Sequence, residues 1–144
     1  MAEAQQVLLQ NVWEGANLQK IIFAGVGAFS SRLTVSGCDL VVKREAAQQL
    51  VLIFHELAIN AFKHGALSSP HGAAFIAGRV DRDKGLFEVI WSEEGGPPVA
   101  EPTRRGFGST ILQHAARQLA EEVTLEYRPS GLRYELRIPL HRLE

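Results

Sequence analysis

The spacing of apolar positions changes several times along the 144 residues, and each change marks an element. From about Ala4 to Ala28, Val7, Leu8, Val12, Leu18, Ile21, Ile22 and Val26 recur at helical spacing, with Gly15 as a point of interruption. SRLTVSGCDLVVK predicts two short strands about a turn at Gly37, Cys38 and Asp39. A second helix is expected from Arg44 to about Ala66, stopped near Gly65. AAFIAGRV and LFEVIWSE, joined by DRDKG, form an antiparallel hairpin by length and turn chemistry. A loop rich in Gly, Pro and Arg leads into a third helix, FGSTILQHAARQLAEE, and the chain closes with VTLEYR and LRYELRIPL about a PSG turn. In these last strands Val123, Leu125 and Tyr127 alternate with Thr124, Glu126 and Arg128. Tyr134, Leu136 and Ile138 alternate likewise with Arg133, Glu135 and Arg137. One face is therefore buried and the other wet, and helices must cover the buried one. The expected architecture is α+β: a two-layer α/β sandwich with three helices on one face of a mainly antiparallel sheet.

Composition narrows the function classes more than the fold. A 46% apolar content and a net charge of −1 fit one globular domain spanning 1–144, with 1–28 as an N-terminal helix or linker. The charge argues against a nucleic-acid partner, which usually selects a basic excess. Cys38 is the sole cysteine, so no internal disulfide can form, and a reducing, cytoplasmic setting is expected. No apolar run nears the roughly 20 residues needed to cross a bilayer, and MAEAQQ has no secretory-signal pattern.

The second helix carries the first candidate chemistry. At about 100° per residue, Glu56, Asn60 and Lys63 fall in one narrow sector together with Gln49. Leu52, Ile53 and Ile59 flank that sector, while Phe54, Leu57, Ala58 and Ala61 fill the opposite side. Two readings stay open: a solvated strip, or a pocket wall whose oxygens hold a hard cation while Lys63 meets an anion. His55 lies about 100° from Glu56 and reads as a packed or supporting histidine. A zinc-protease helix would need a second histidine where Ile59 stands, so zinc is not expected.

Two further segments could complete a pocket. In GLFEVIWSEEGGPPV, Phe87, Val89, Trp91 and Glu93 share one strand face. A carboxylate ending an apolar face must find donors or shift its pKa, and Gly95 and Gly96 follow it. It is either an exposed strand end or an acceptor for a ligand N–H. Downstream, RRGFGST opens the third helix, where Gly106 and Gly108 free backbone N–H groups at a helix start that favours anions. Neither this stretch nor GVGAFS is a Walker or dinucleotide fingerprint.

Taken together, the three segments resemble the ATP-binding catalytic domain of sensor histidine kinases, specifically the HWE group within the Bergerat-fold ATPases. HELAINAFKHGALS is similar to the N box, WSEEGGPPV to the W-x-E form of the G1 box, and RRGFGST to the G2 box. VWEGANLQKII resembles the helix and linker before this domain, so the likeness covers nearly the whole chain.

The resemblance implies a mixed sheet, ATP and Mg²⁺ as ligands, and a role for each box. Asn60 would coordinate the metal and Lys63 would contact a phosphate. Glu56 would assist transfer by polarising the accepting histidine or orienting a water. Glu93 would accept from the adenine amine. His64, Gly95, Gly96, Arg105, Gly106, Phe107, Gly108 and Ser109 would complete the nucleotide contacts. The lid PPVAEPTRR, nine residues with three prolines, would be short and stiff. Ile59 and Phe62 depart from the small residues common in the group, with packing as the expected consequence. No H-R-x-K-N-like phosphoacceptor segment precedes the N box. The expected protein is therefore a catalytic module that phosphorylates a histidine on a separate dimerisation domain, which in turn serves a response-regulator receiver. Two alternatives share the fold: a non-catalytic adaptor or phosphotransfer protein, and a Ser/Thr kinase of the anti-sigma type.

Overall fold

The computed structural model describes residues 16–97 and 107–144. A bridge strand β1 (Ala16–Asn17) leads into α1 (Leu18–Val26), a 3₁₀ segment (Gly27–Arg32), β2 (Leu33–Ser36) and β3 (Val41–Val42). The long helix α2 (Arg44–His64) and a 3₁₀ turn (Ala66–Ser68) precede β4 (Ala73–Asp81) and β5 (Leu86–Glu94). Then come α3 (Phe107–Leu119), β6 (Glu122–Arg128), β7 (Gly131–Pro139) and a one-turn α4 (Leu140–Leu143).

Five strands form the main sheet in the order β2-β4-β5-β7-β6. Only β2 runs parallel to its neighbour; β4/β5, β5/β7 and β6/β7 are antiparallel. The expected alternation holds where it was cleanest. Phe87, Val89, Trp91, Tyr134, Leu136 and Ile138 point into a core closed by Ile21 and Ile22 of α1, Leu50, Ile53, Phe54 and Leu57 of α2, and Leu112 and Ala116 of α3. The opposite face carries a charge row in which Arg137 reaches Glu88 and Glu122, each at 3.2 Å. β6 is an edge strand, so Val123, Leu125 and Tyr127 are only half-buried.

The structure adds detail at three places. Of the expected N-terminal helix, residues 4–15 lie outside the described residues; within them α1 starts at Leu18, where Asn17 caps it by accepting from Lys20 N–H at 3.4 Å, and Gly27 ends it at φ +64°. The strands on either side of Gly37 do not pair with each other. β3 pairs with β1, while β2 joins β4. Gly37, at φ +69°, lies so close to β4 that a Cβ would meet the Gly78 carbonyl oxygen at 1.9 Å. The third helix stops at Leu119 because Glu121 N–H already bonds Arg137 O at 2.9 Å, feeding the chain into β6.

Candidate functional site

The polar sector of α2 divides in two. Near its start, Gln49 is taken up by α3, donating to Gln118 Oε1 at 2.8 Å, and Gln118 in turn meets His114 at 3.2 Å. Further along, Glu56 and Asn60 are half-buried and Lys63 and His64 are exposed. Among the described residues none of these four side chains has a hydrogen bond or ion pair within the protein. Ile53 is buried on one border; Leu52 is exposed and Ile59 half-buried on the other. His55 turns toward α1, with Nδ1 3.4 Å from Gly25 O, and so helps join the two helices. Phe62 packs its ring against Phe29, centroids 5.1 Å apart, and remains 52% exposed.

At the C-terminal end of α2 the polar chemistry changes character. Glu93, on β5, is only 1% exposed and is the sole buried charged side chain among the described residues. Its Oε1 accepts from Ala66 N–H at 2.9 Å and its Oε2 accepts from the Trp91 indole N–H at 2.8 Å. Burial pushes the carboxyl above the usual glutamate range, and the two hydrogen bonds oppose that rise without cancelling it. The two outcomes open to a carboxylate in this position, donors or a shifted pKa, are thus both realised. Gly65 belongs to the same arrangement: a Cβ there would meet Glu93 Oε1 at 2.2 Å. Sequence reasoning assigned Gly65 only a helix stop, and no local signal marks the carboxylate lying against it.

The glycines after β5 close on the same loop. Gly95, at φ +78°, would place a Cβ 2.6 Å from His71 O, and one on Gly96 would come within 2.4 Å of Ala66 Cα. The backbone of the second box therefore lies directly against residues 66–72. Phe107, Gly108 and Ser109 open α3 as expected. Arg105 and Gly106 lie outside the described residues, as does the lid beyond Pro97. The end of the first box and the second box are thus brought together through Ala66, Glu93, Gly95 and Gly96.

No group of three His, Cys, Asp or Glu side chains among the described residues could hold a metal. A magnesium ion takes one or two protein oxygens and completes its shell with water and phosphate. The unpartnered Asn60 amide beside Glu56 offers such oxygens. Among the described residues no helix is long and apolar enough to cross a membrane.

No family model matches the sequence. Individual relatives do. The chain is 36% identical over 147 aligned positions to a blue-light-activated histidine kinase of Brucella ovis, and 33% identical to that of Brucella anthropi. Both alignments cover 97% of the chain, which spans 30% of the length of these relatives. By fold it is similar to the histidine kinase domain of a blue-light activated histidine kinase from Erythrobacter litoralis. That match has a TM-score of 0.78 at 19% identity and covers 97% of this chain and 78% of the other. The catalytic domain of histidine kinase ThkA matches at TM-score 0.61 and 17% identity, over 85% of this chain and 93% of that one. The sheet order, the helix cover and the alignment over 97% of this chain agree with the three sequence boxes: the chain has the fold of histidine kinase catalytic domains and is similar to the matching part of the blue-light-activated histidine kinases.

Proposed function

We propose that this domain binds ATP with Mg²⁺ and presents the γ-phosphoryl group to a histidine on a separate phosphoacceptor domain, from which a response regulator is served. The observation that carries this reading is the row Glu56, Asn60 and Lys63. Among the described residues these three polar side chains stand without protein partners, on a helix that ends against a buried carboxylate. A row meant only for solvent gives no reason for that ending.

In this reading Asn60 offers its amide oxygen to the metal, and the exposed Lys63 ammonium meets phosphate oxygens. Bound magnesium supplies charge neutralisation for the phosphates. Glu56 orients the accepting imidazole or polarises it, which is positioning work of the kind phosphoryl transfer depends on. Glu93 accepts from the exocyclic amine of adenine with a lone pair that Ala66 and Trp91 leave free. His64, Gly95, Gly96, Arg105, Gly106, Phe107, Gly108 and Ser109 complete the nucleotide contacts.

Calorimetry with Mg-ATP is the test. Asn60→Ala should weaken binding about tenfold in Mg²⁺, the worth of one charge-assisted contact, and much less in EDTA. Equal affinities in Mg²⁺ would remove Asn60 from the metal site, and absence of any nucleotide binding would favour the adaptor reading. With γ-labelled ATP, acid-labile label should appear only when a phosphoacceptor helix is added in trans. Stoichiometric label on this chain by itself, abolished by His64→Ala, would contradict transfer to a separate domain.

A further inference from the structure

Arg32 stands at the end of the 3₁₀ segment, 34 to 40 residues from the carbonyls that its guanidinium bonds. Its guanidinium donates to four backbone carbonyls of a single loop. Nε and Nη2 reach Gly72 O at 3.0 and 2.6 Å, Nη1 reaches Leu67 O at 3.3 Å, and Nη2 also meets Ala66 O at 3.4 Å and Ser69 O. Among the described residues it has no carboxylate partner. A guanidinium suits this task because its donors leave a rigid plane in several directions, which an ammonium cannot reproduce. Its own position is fixed in turn, since Leu33 immediately after it pairs with Ala74, two residues beyond Gly72.

The loop that Arg32 holds is the one on which the second box rests. Ala66 presents its carbonyl to Arg32 and its N–H to Glu93 Oε1. Gly96 lies against Ala66, and Gly95 against His71. We propose that Arg32 is a positioning residue for the nucleotide site: by clamping residues 66–72 it sets the Glu93 carboxylate as the base-selecting acceptor. This rests on the nucleotide reading above for its ligand but not for its geometry. Loss of the fork frees Ala66 to move, so Glu93 loses one of its two donors and its fixed direction.

The test uses Arg32→Met, with Arg32→Lys as the conservative variant, in the intact chain. Two readings need no nucleotide: the ¹⁵N–¹H resonance of the Trp91 indole, assigned by Trp13→Phe, and amide exchange over 66–72. The third is the preference for Mg-ATP over Mg-GTP, measured by competition. Arg32→Met should shift the indole resonance, speed exchange of the loop, and lower the ATP preference about tenfold, the worth of one charge-assisted hydrogen bond. Arg32→Lys keeps the charge without the fork and should fall between. A merely structural role would weaken both nucleotides alike and leave their ratio unmoved, and that result overturns the proposal. So does an unshifted indole in folded Arg32→Met, or full recovery with lysine. If the methionine variant does not fold, the lysine variant carries the same three readings. If the wild type binds neither nucleotide, the nucleotide reading falls and base selection with it, while resonance and exchange still decide whether Arg32 sets the carboxylate.

Discussion

Two polar regions meet at the C-terminal end of α2 and are built on contrary principles. Around Glu93 donors and acceptors are matched within the protein: Ala66 and Trp91 serve the carboxylate, and Arg32 serves the carbonyls of the loop that carries Ala66. Along α2 the reverse holds, and Glu56, Asn60 and Lys63 are left without protein partners among the described residues. Buried polar atoms without partners are costly, which explains why each oxygen of the Glu93 carboxylate has a donor. The second region is half-buried to exposed, so water can serve it and a ligand can displace that water. The contrast separates a scaffold that holds its own shape from a surface whose polar groups the described residues leave available.

Glu93→Ala gives the largest effect expected from this contrast. It orphans two buried N–H donors and leaves a void at the end of β5, and each orphaned donor costs about 1–3 kcal/mol. Relief of the buried charge offsets part of this, so a net loss of roughly 2–5 kcal/mol is expected in urea unfolding. A loss below about 1 kcal/mol would mean that the carboxylate region is not a scaffold and that the contrast fails.

The second prediction uses pH to isolate the buried charge. Burial raises the Glu93 carboxyl above its unfolded value, so between the two values the folded chain holds more protons than the unfolded one. The stability this group contributes is therefore fully present below the unfolded pKa and is lost as pH rises through the folded one. Glu93→Gln keeps the shape and does not titrate, though its amide N–H₂ must face one of the two donors, a fixed penalty at every pH. Wild type should thus lose stability relative to Glu93→Gln as pH is raised from about 4 toward neutrality. A difference that stays constant in thermal unfolding across that range would show that the carboxyl titrates normally.

Much of this was legible in the sequence, and the limits have a physical cause. α2, the β4/β5 hairpin and the β6/β7 hairpin are local structures written in period and turn chemistry, and they form where expected. β2 joins β4 in parallel from some 40 residues away, and nothing local to SRLTVSG announces the partner. The same is true of Arg32, whose four acceptors are backbone carbonyls and leave no side-chain signature. The row Glu56, Asn60 and Lys63 was visible because a helix fixes angles, whereas Gly65 owes its identity to a carboxylate on another strand. Arg105, Gly106 and the lid lie outside the described residues and are not part of this comparison.

The smallest expected effect is the sharpest probe of the open surface. If Asn60 makes no contact that folding depends on, replacing it with alanine removes little from the folded state and gains helix propensity, since alanine is favoured over asparagine within a helix by up to about 0.7 kcal/mol. Asn60→Ala should therefore unfold within about 0.5 kcal/mol of the wild type, on the stabilising side if anything. The same variant is expected to weaken Mg-ATP binding, so stability and binding would move independently, as they do where a protein keeps a site at some expense to its fold. Measured without nucleotide, a loss above about 1 kcal/mol would reveal a structural partner for Asn60 and erase the distinction between the two regions. Near-neutral stability together with unchanged Mg-ATP affinity would instead leave the row a solvated strip, the plainer of the two readings that its angular spacing allows.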